Sequence, residues 1–302
     1  MKKILITGAN GQLGRRLVKE FTRKSIKKES EFQIIAKNKE QFNLADESIC
    51  EKTIFDYEPE WVINAAAYTN VDKAEKEFDI AYKINAEGPK YISKALLKTG
   101  GKLLHISTDY VFDGLQSYPY KTYSPRMPIN AYGKTKEEGE KAIEDILICE
   151  NRAKILRTSW LLGPEGNNFL TKMIQLIQNK NSLKIVEDQV SSPTTTKSLS
   201  RACLQIVLND KYLNNNQNIM HWSDSGITSW YDLTKYIYKY CISKKFFDSY
   251  CNIEPISSKD YPSPAKRPNF SKLDCTSTIE SLGLKQTYWQ ESIEQALDEM
   301  QI

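Results

Sequence analysis

Gly8-Ala9-Asn10-Gly11-Gln12-Leu13-Gly14 decides how the rest of this chain is read. Ahead of it, Lys3 to Thr7 is a short apolar run rich in isoleucine and leucine, the pattern of a buried strand. Behind it, Arg15 to Phe21 has the spacing of an amphipathic helix. A strand, a glycine turn and a helix in this order make a phosphate cradle. Glycine permits the tight turn and the close approach of backbone, and the helix N-terminus faces the negative charge. The stretch therefore predicts a dinucleotide site with Gly8, Asn10, Gly11 and Gly14 at its phosphate-binding turn.

Outward from the turn, a second strand pattern, Phe32 to Ala36, should end beside the adenosine ribose. Many NAD-specific folds carry an acidic residue there to bind the 2′-hydroxyl. This chain has Lys37-Asn38-Lys39, with no acid until Glu40. Lys37 leans the choice towards NADPH, whose 2′-phosphate favours a cation, with NADH as the alternative; the same residues also read as a solvated charged turn. Asn43 and Leu44 would lie near the adenine. A helix pattern over Glu47 to Tyr57 leads into the strand Trp61 to Asn64, and then into Ala65, Ala66 and Ala67, small residues that let a cofactor reach the backbone. Asn85 is polar on an otherwise apolar helical stripe and also reads as merely exposed.

Lys102 to Ser107 is a further strand, closing in Ser107-Thr108-Asp109-Tyr110. Hydroxyls at the carboxyl end of a parallel strand face the ligand crevice. The alternation continues through Ala153 to Arg157 and predicts an α/β fold with a doubly wound parallel sheet of Rossmann type. After Trp160 the texture changes, and 302 residues are many for one compact core. Residues 1–160 are expected to form the dinucleotide-binding domain. A helix from Ser198 to Leu208 and a strand near Asn218 to His221 place about 194–222 back on its sheet. The remainder of 161–302 reads as a smaller α/β substrate-binding cap over the carboxyl edge of the sheet, and Asn214 to Asn216 as a polar turn.

Ala131-Tyr132-Gly133-Lys134-Thr135-Lys136 opens a helix running to about Ile148. Tyr132 and Lys136 stand four residues apart and leave that helix from one face. A phenol titrates near pH 10, and an ammonium beside it favours the phenolate, so the pair is expected to exchange a proton with a sugar oxygen. With 17 tyrosines in the chain, an exposed polar helix face is the plainer reading of the pair alone.

The net charge of +4 is spread along the chain, with no basic block interleaved with aromatics, which argues against a nucleic-acid partner. The six cysteines include no CxxC pair and no metal-ligand spacing with the two histidines, so buried free thiols in a reducing compartment are expected. The apolar run Ile4 to Ile6 stops at Thr7-Gly8, too short for a secretory signal, and no membrane span follows. A cytoplasmic protein is expected.

The glycine spacing is GxxGxxG rather than GxGxxG. Together with STDYVFDG from Ser107, YGKTK from Tyr132, RTSW from Arg157, GNNF from Gly166, RPNFSKLD from Arg267 and WQESI from Trp289, it resembles the extended short-chain dehydrogenase/reductase superfamily, and within it the dTDP-4-dehydrorhamnose reductase family. The resemblance runs nearly end to end. It implies reduction of the C4 keto group of dTDP-4-dehydro-6-deoxy-L-mannose to dTDP-L-rhamnose by NAD(P)H, in nucleotide-sugar biosynthesis for cell-surface polysaccharide. It implies Tyr132 as proton donor, Lys136 as its electrostatic partner and ribose ligand, Thr108 on the C4 carbonyl and Asn85 as a positioner of the lysine. Gly11, Gln12, Leu13, Ala65, Ala66 and Ser107 would line the cofactor, and Thr69, Val71, Asp109, Tyr110 and Trp160 the substrate. Arg267 would pair with the substrate pyrophosphate, though an exposed loop arginine fits it equally. Some members dimerise through magnesium held by two glutamates; the corresponding residues are Arg16 and Lys197, so no such metal site is expected and any homodimer is not expected to use that interface. A sister reductase for another nucleotide-linked 4-keto-6-deoxy sugar is the nearest alternative. A non-catalytic NADP-binding regulatory subunit is the other, because the beta subunit of methionine adenosyltransferase also resembles this family.

Overall fold

The computed structural model describes residues 2–26, 32–209 and 217–300, and the run Asn214 to Asn216 lies outside them. Its centre is a six-stranded sheet built from β1 (Lys2–Thr7), β2 (Phe32–Lys37), β3 (Trp61–Asn64), β4 (Lys102–Thr108), β5 (Ala153–Thr158) and β10 (Ile219–His221). The strands stand in the order β10-β5-β4-β3-β1-β2, and every pairing is parallel. Side chains alternate faces along a strand, and both faces here are covered. Ile4 and Ile6 pack with α1 (Gln12–Ile26) and α8 (Thr196–Leu208). Leu5 packs on the opposite side with α2 (Glu47–Tyr57), α5 (Gly88–Thr99) and α6 (Ala131–Ile143). A sheet covered on both faces explains why its strands read as continuous apolar runs.

Between β1 and β3 the chain reverses its direction of travel across the sheet, and ligands of open α/β sheets bind outside such a switch point. α3 (Val71–Ala74) and α4 (Phe78–Tyr82) follow β3. A wide π turn, Lys83–Glu87, joins α4 to α5, and a second, Glu144–Ile148, extends α6 to the length expected for that helix.

The later chain builds short ladders: β6 (Leu161–Leu162) with β9 (Thr194–Thr195), β7 (Ser182–Val186) with β12 (Asn252–Ile256), and β8 (Val190–Ser191) with β11 (Thr228–Ser229). α7 (Phe169–Asn179), α9 (Trp230–Ser243) and α11 (Trp289–Glu299) share an apolar core around Leu170, Leu233 and Ile293; α10 (Thr276–Leu282) packs back on the main sheet. β12 has no counterpart in the sequence reading. It contains Pro255 and no apolar alternation, and only its parallel pairing with β7 makes it a strand. Cys50, Cys203, Cys241, Cys251 and Cys275 are buried free thiols, and Cys149 is exposed. Among the described residues no helix is long and apolar enough to cross a membrane.

Candidate active site

A cavity of about 950 Å³ opens at the switch point, over the carboxyl ends of β1, β3 and β4. Gly8, Asn10, Gly11, Gln12 and Leu13 form one wall. Gly8 has φ 63°, and a side chain there would bring Cβ within 2.8 Å of Ala66 Cα. Both facts require glycine. Gly14 does not line the cavity. A Cβ on it would lie 2.1 Å from the Gly8 carbonyl oxygen, so its task is to let α1 seat against the turn. Ala65, Ala66 and Ala67 line the opposite wall, with Thr69 and Val71 beyond them.

At the end of β2 the structure departs from the sequence reading. Lys37 is turned away from the cavity, its Nζ donating to the Tyr57 hydroxyl at 3.1 Å and lying over that ring. Lys39 lines the cavity instead, together with Phe42, Asn43 and Leu44. Strand alternation would put residues 37 and 39 on one side, but β2 ends at Lys37 and Lys39 sits in the turn after it, where the chain has left the strand geometry.

β4 delivers Ser107 and Thr108 to the cavity floor, and Asp109 and Tyr110 follow them. The N-cap of α6 is Asn130, whose side chain accepts from Gly133 N at 2.7 Å. The first turn of that helix carries Tyr132 and the second Lys136, both lining the cavity. Tyr132 is hydrogen-bonded to the Thr108 hydroxyl; burial pushes its phenol up to about 12, opposed by that hydrogen bond and helped by Asp109. The lowered phenol expected from the four-residue spacing is therefore not what the protein groups produce. Lys136 points into the sheet rather than at the phenol. Its Nζ donates to the Ile106 carbonyl at 2.8 Å and lies 3.0 Å from His105 Nε2. Burial brings it down to about 8.

Below Lys136 lies a buried ion cluster. Glu140, wholly buried, accepts from Arg157 Nε at 2.9 Å and Nη2 at 2.7 Å, from Arg126 at 3.1 Å and from the Ser107 hydroxyl at 2.5 Å. Burial opposes ionisation of Glu140, but the two guanidiniums and the hydroxyl outweigh it and hold the carboxyl down to about 2. Asp109 has the reverse balance: burial raises it to about 7 against hydrogen bonds from Ser271 and Thr108.

Asn85 is buried in the first π turn and does not line the cavity. Its amide bridges the Tyr68 backbone, accepting from N at 2.9 Å and donating to O at 3.0 Å, and donates to Thr135 Oγ1 at 3.1 Å. It thus clamps the loop after β3 to α6 without touching Lys136 directly. Nor does Arg267 join the lining: its guanidinium pairs with Asp72 at 2.9 Å and also bonds Ser263. Trp160 does line the cavity, at the left-handed φ of 43°, which costs a bulky residue about 1–3 kcal/mol. Its ring stacks on Trp230 with centroids 3.4 Å apart.

The sequence reading missed His105, Glu140, Arg157, Lys39 and Trp230 as parts of this arrangement. His105 carried a signal, being polar inside the buried run Leu103-Leu104-His105-Ile106. Trp230 carried none, because it arrives from a distant segment. Arg16 and Lys197 converge on Glu299, at 2.5 and 3.2 Å, and no three metal-binding side chains gather among the described residues.

The family model described as the RmlD substrate binding domain matches residues 1–302. The chain belongs to that family. A dTDP-4-dehydrorhamnose reductase of Aggregatibacter actinomycetemcomitans is 34% identical over 97% of this chain and 97% of its own length. The crystal structure of a dTDP-4-dehydrorhamnose reductase from Clostridium acetobutylicum superposes with a TM-score of 0.89 at 36% identity, covering 99% of this chain and all of the other. A Bacillus anthracis dTDP-4-dehydrorhamnose reductase in complex with NADP superposes at 0.86 with 34% identity, over 99% of this chain and all of that one.

Proposed function

We propose that this chain reduces the C4 keto group of dTDP-4-dehydro-6-deoxy-L-mannose to dTDP-L-rhamnose with NADPH, NADH being the alternative donor. The observation that carries the reading is the convergence of Thr108, Tyr132 and Lys136 on one cavity with the glycine turn. Relatives named as reductases of this sugar, one of them holding NADP, support it. The cavity fits the cofactor: backbone without Cβ at Gly8, the N-terminus of α1 at the turn, and Lys39 where a 2′-phosphate would lie. When bound, the reduced nicotinamide supplies the hydride. Thr108 holds the carbonyl oxygen. Tyr132, kept protonated by its burial, gives that oxygen its proton. Lys136, as the ammonium, compensates the phenolate left behind.

The proposal extends to the organisation of the chain. Residues 1–160 bind the dinucleotide, with about 194–222 returned to that domain, an assignment supported by the β10–β5 pairing. The rest of 161–302 covers the substrate and brings Trp230 against Trp160. The enzyme is cytoplasmic, and any homodimer uses a surface other than a magnesium-bridged one, in keeping with the ion pairs of Arg16 and Lys197.

The test couples NADPH oxidation to substrate made in situ from dTDP-4-keto-6-deoxyglucose and its 3,5-epimerase, with identification of the product sugar. Tyr132→Phe should lower kcat by about 10²–10⁴-fold with NADPH affinity unchanged. Near-normal turnover of that variant removes Tyr132 from its role. Oxidation with a different 4-keto sugar alone points to a sister reductase, and cofactor binding without any turnover to a regulatory subunit.

A further inference from the structure

Lys136 is held from behind by a row of polar side chains to which the reaction above assigns no role. Thr7, Asn64 and His105 occupy matched register positions on β1, β3 and β4, so they stand side by side on one face of the sheet. All three are wholly buried. Ala66 N–H donates to Thr7 Oγ1 at 3.3 Å, and the Thr7 hydroxyl donates to Asn64 Oδ1 at 2.7 Å. Asn64 Nδ2 in turn donates to His105 Nδ1 at 3.1 Å, and His105 Nε2 faces Lys136 Nζ at 3.0 Å.

The row has a direction. A backbone N–H only donates, and an imidazole that accepts at Nδ1 carries its proton on Nε2. That Nε2–H points at Lys136 Nζ, which accepts a hydrogen bond only as a neutral amine. An ammonium has three donors and no acceptor. Charging Lys136 with His105 still facing it therefore requires the imidazole proton on Nδ1 and the Asn64 amide turned over, which takes from the Thr7 hydroxyl the oxygen it now donates to.

We propose that His105 is a positioning residue whose tautomer, set through Thr7 and Asn64, is locked to the proton of Lys136: Nε2–H with the amine, Nδ1–H with the ammonium. The effect on rate rests on the reading of Lys136 as the charged partner of Tyr132, whereas the lock itself belongs to the folded chain. Among the described residues, Glu140 on α6 acts on Lys136 directly and is bound by Arg157 and Arg126, while Tyr132 on α6 and Asp109 beyond β4 line the same cavity as Lys136. Glu140 is ionised throughout the neutral range and Tyr132 is not, but Asp109 titrates near neutrality. A readout specific to His105 is therefore needed, and burial keeps that imidazole uncharged.

The chain has two histidines, so ¹⁵N-histidine spectra of the intact protein, assigned with His221→Asn, report the tautomer directly. His105 should be Nε2–H on the alkaline side of the Lys136 midpoint and pass to Nδ1–H on the acid side without becoming charged. Asn64→Asp offers acceptor oxygens to both neighbours. It should hold Nδ1–H throughout and move the alkaline limb of the kcat profile upward by at least tenfold in proton concentration. A single His105 tautomer across the native titration overturns the lock. An unmoved alkaline limb in a folded, active Asn64→Asp enzyme overturns its catalytic consequence. The native spectra need no turnover, so they decide the lock even where the assigned reaction fails or the variant does not fold.

Discussion

Replacing Glu140 by glutamine keeps the shape of the side chain and removes the one carboxylate that both Arg157 and Arg126 share. Arg157 is itself buried, so the variant leaves a guanidinium charge without its counter-ion inside the fold. Breaking a buried pair from one side costs about 3–5 kcal/mol. The titration of Glu140 offers an independent figure. Its carboxyl lies at about 2 in the folded chain against an ordinary 4.5; at about 1.36 kcal/mol per tenfold the difference is about 3 kcal/mol. Because the folded value is depressed, this stability is fully present above pH 4.5 and is lost as pH falls through about 2. Urea titrations of native protein and Glu140→Gln from neutral pH downward should therefore differ by about 3 kcal/mol near pH 7 and by less than half of that by about pH 3. A difference under about 1 kcal/mol at neutral pH, or one that does not shrink on acidification, refutes the account of the cluster.

Two further outcomes follow from the same geometry. Lys39→Ala should weaken NADPH binding about tenfold or more and leave NADH binding unchanged, while Lys37→Ala should leave the NADPH/NADH ratio as it is; titration by nicotinamide fluorescence separates them. Asp109 is raised to about 7, so its ionisation opposes folding increasingly as pH climbs from its ordinary 3.8 towards that value. Asp109→Asn should raise the melting temperature at pH 8 and change it little at pH 4, and an equal change at both pH values would contradict the assignment.

The sequence by itself determined the part of this protein that is local. The glycine turn between β1 and α1, the pair Tyr132 and Lys136 one helical turn apart, and the hydroxyls closing β4 all sit within single elements, where spacing and strand or helix geometry dictate which side chains share a face. The parallel α/β class followed because strands buried on both faces show as apolar runs between helical patterns. Tertiary structure decided everything that needed a partner from elsewhere. Lys39 rather than Lys37 faces the cavity, and Tyr57, twenty residues on from Lys37, holds the latter. Arg267 was drawn to Asp72, nearly two hundred residues away. Lys136 found not the phenol on its own helix but His105 on β4, and the register of three strands, invisible in any one of them, set Thr7, Asn64 and His105 in line behind it. The protonation of a buried lysine depends on the donors and acceptors that meet it in space, and those are assembled only when the sheet closes.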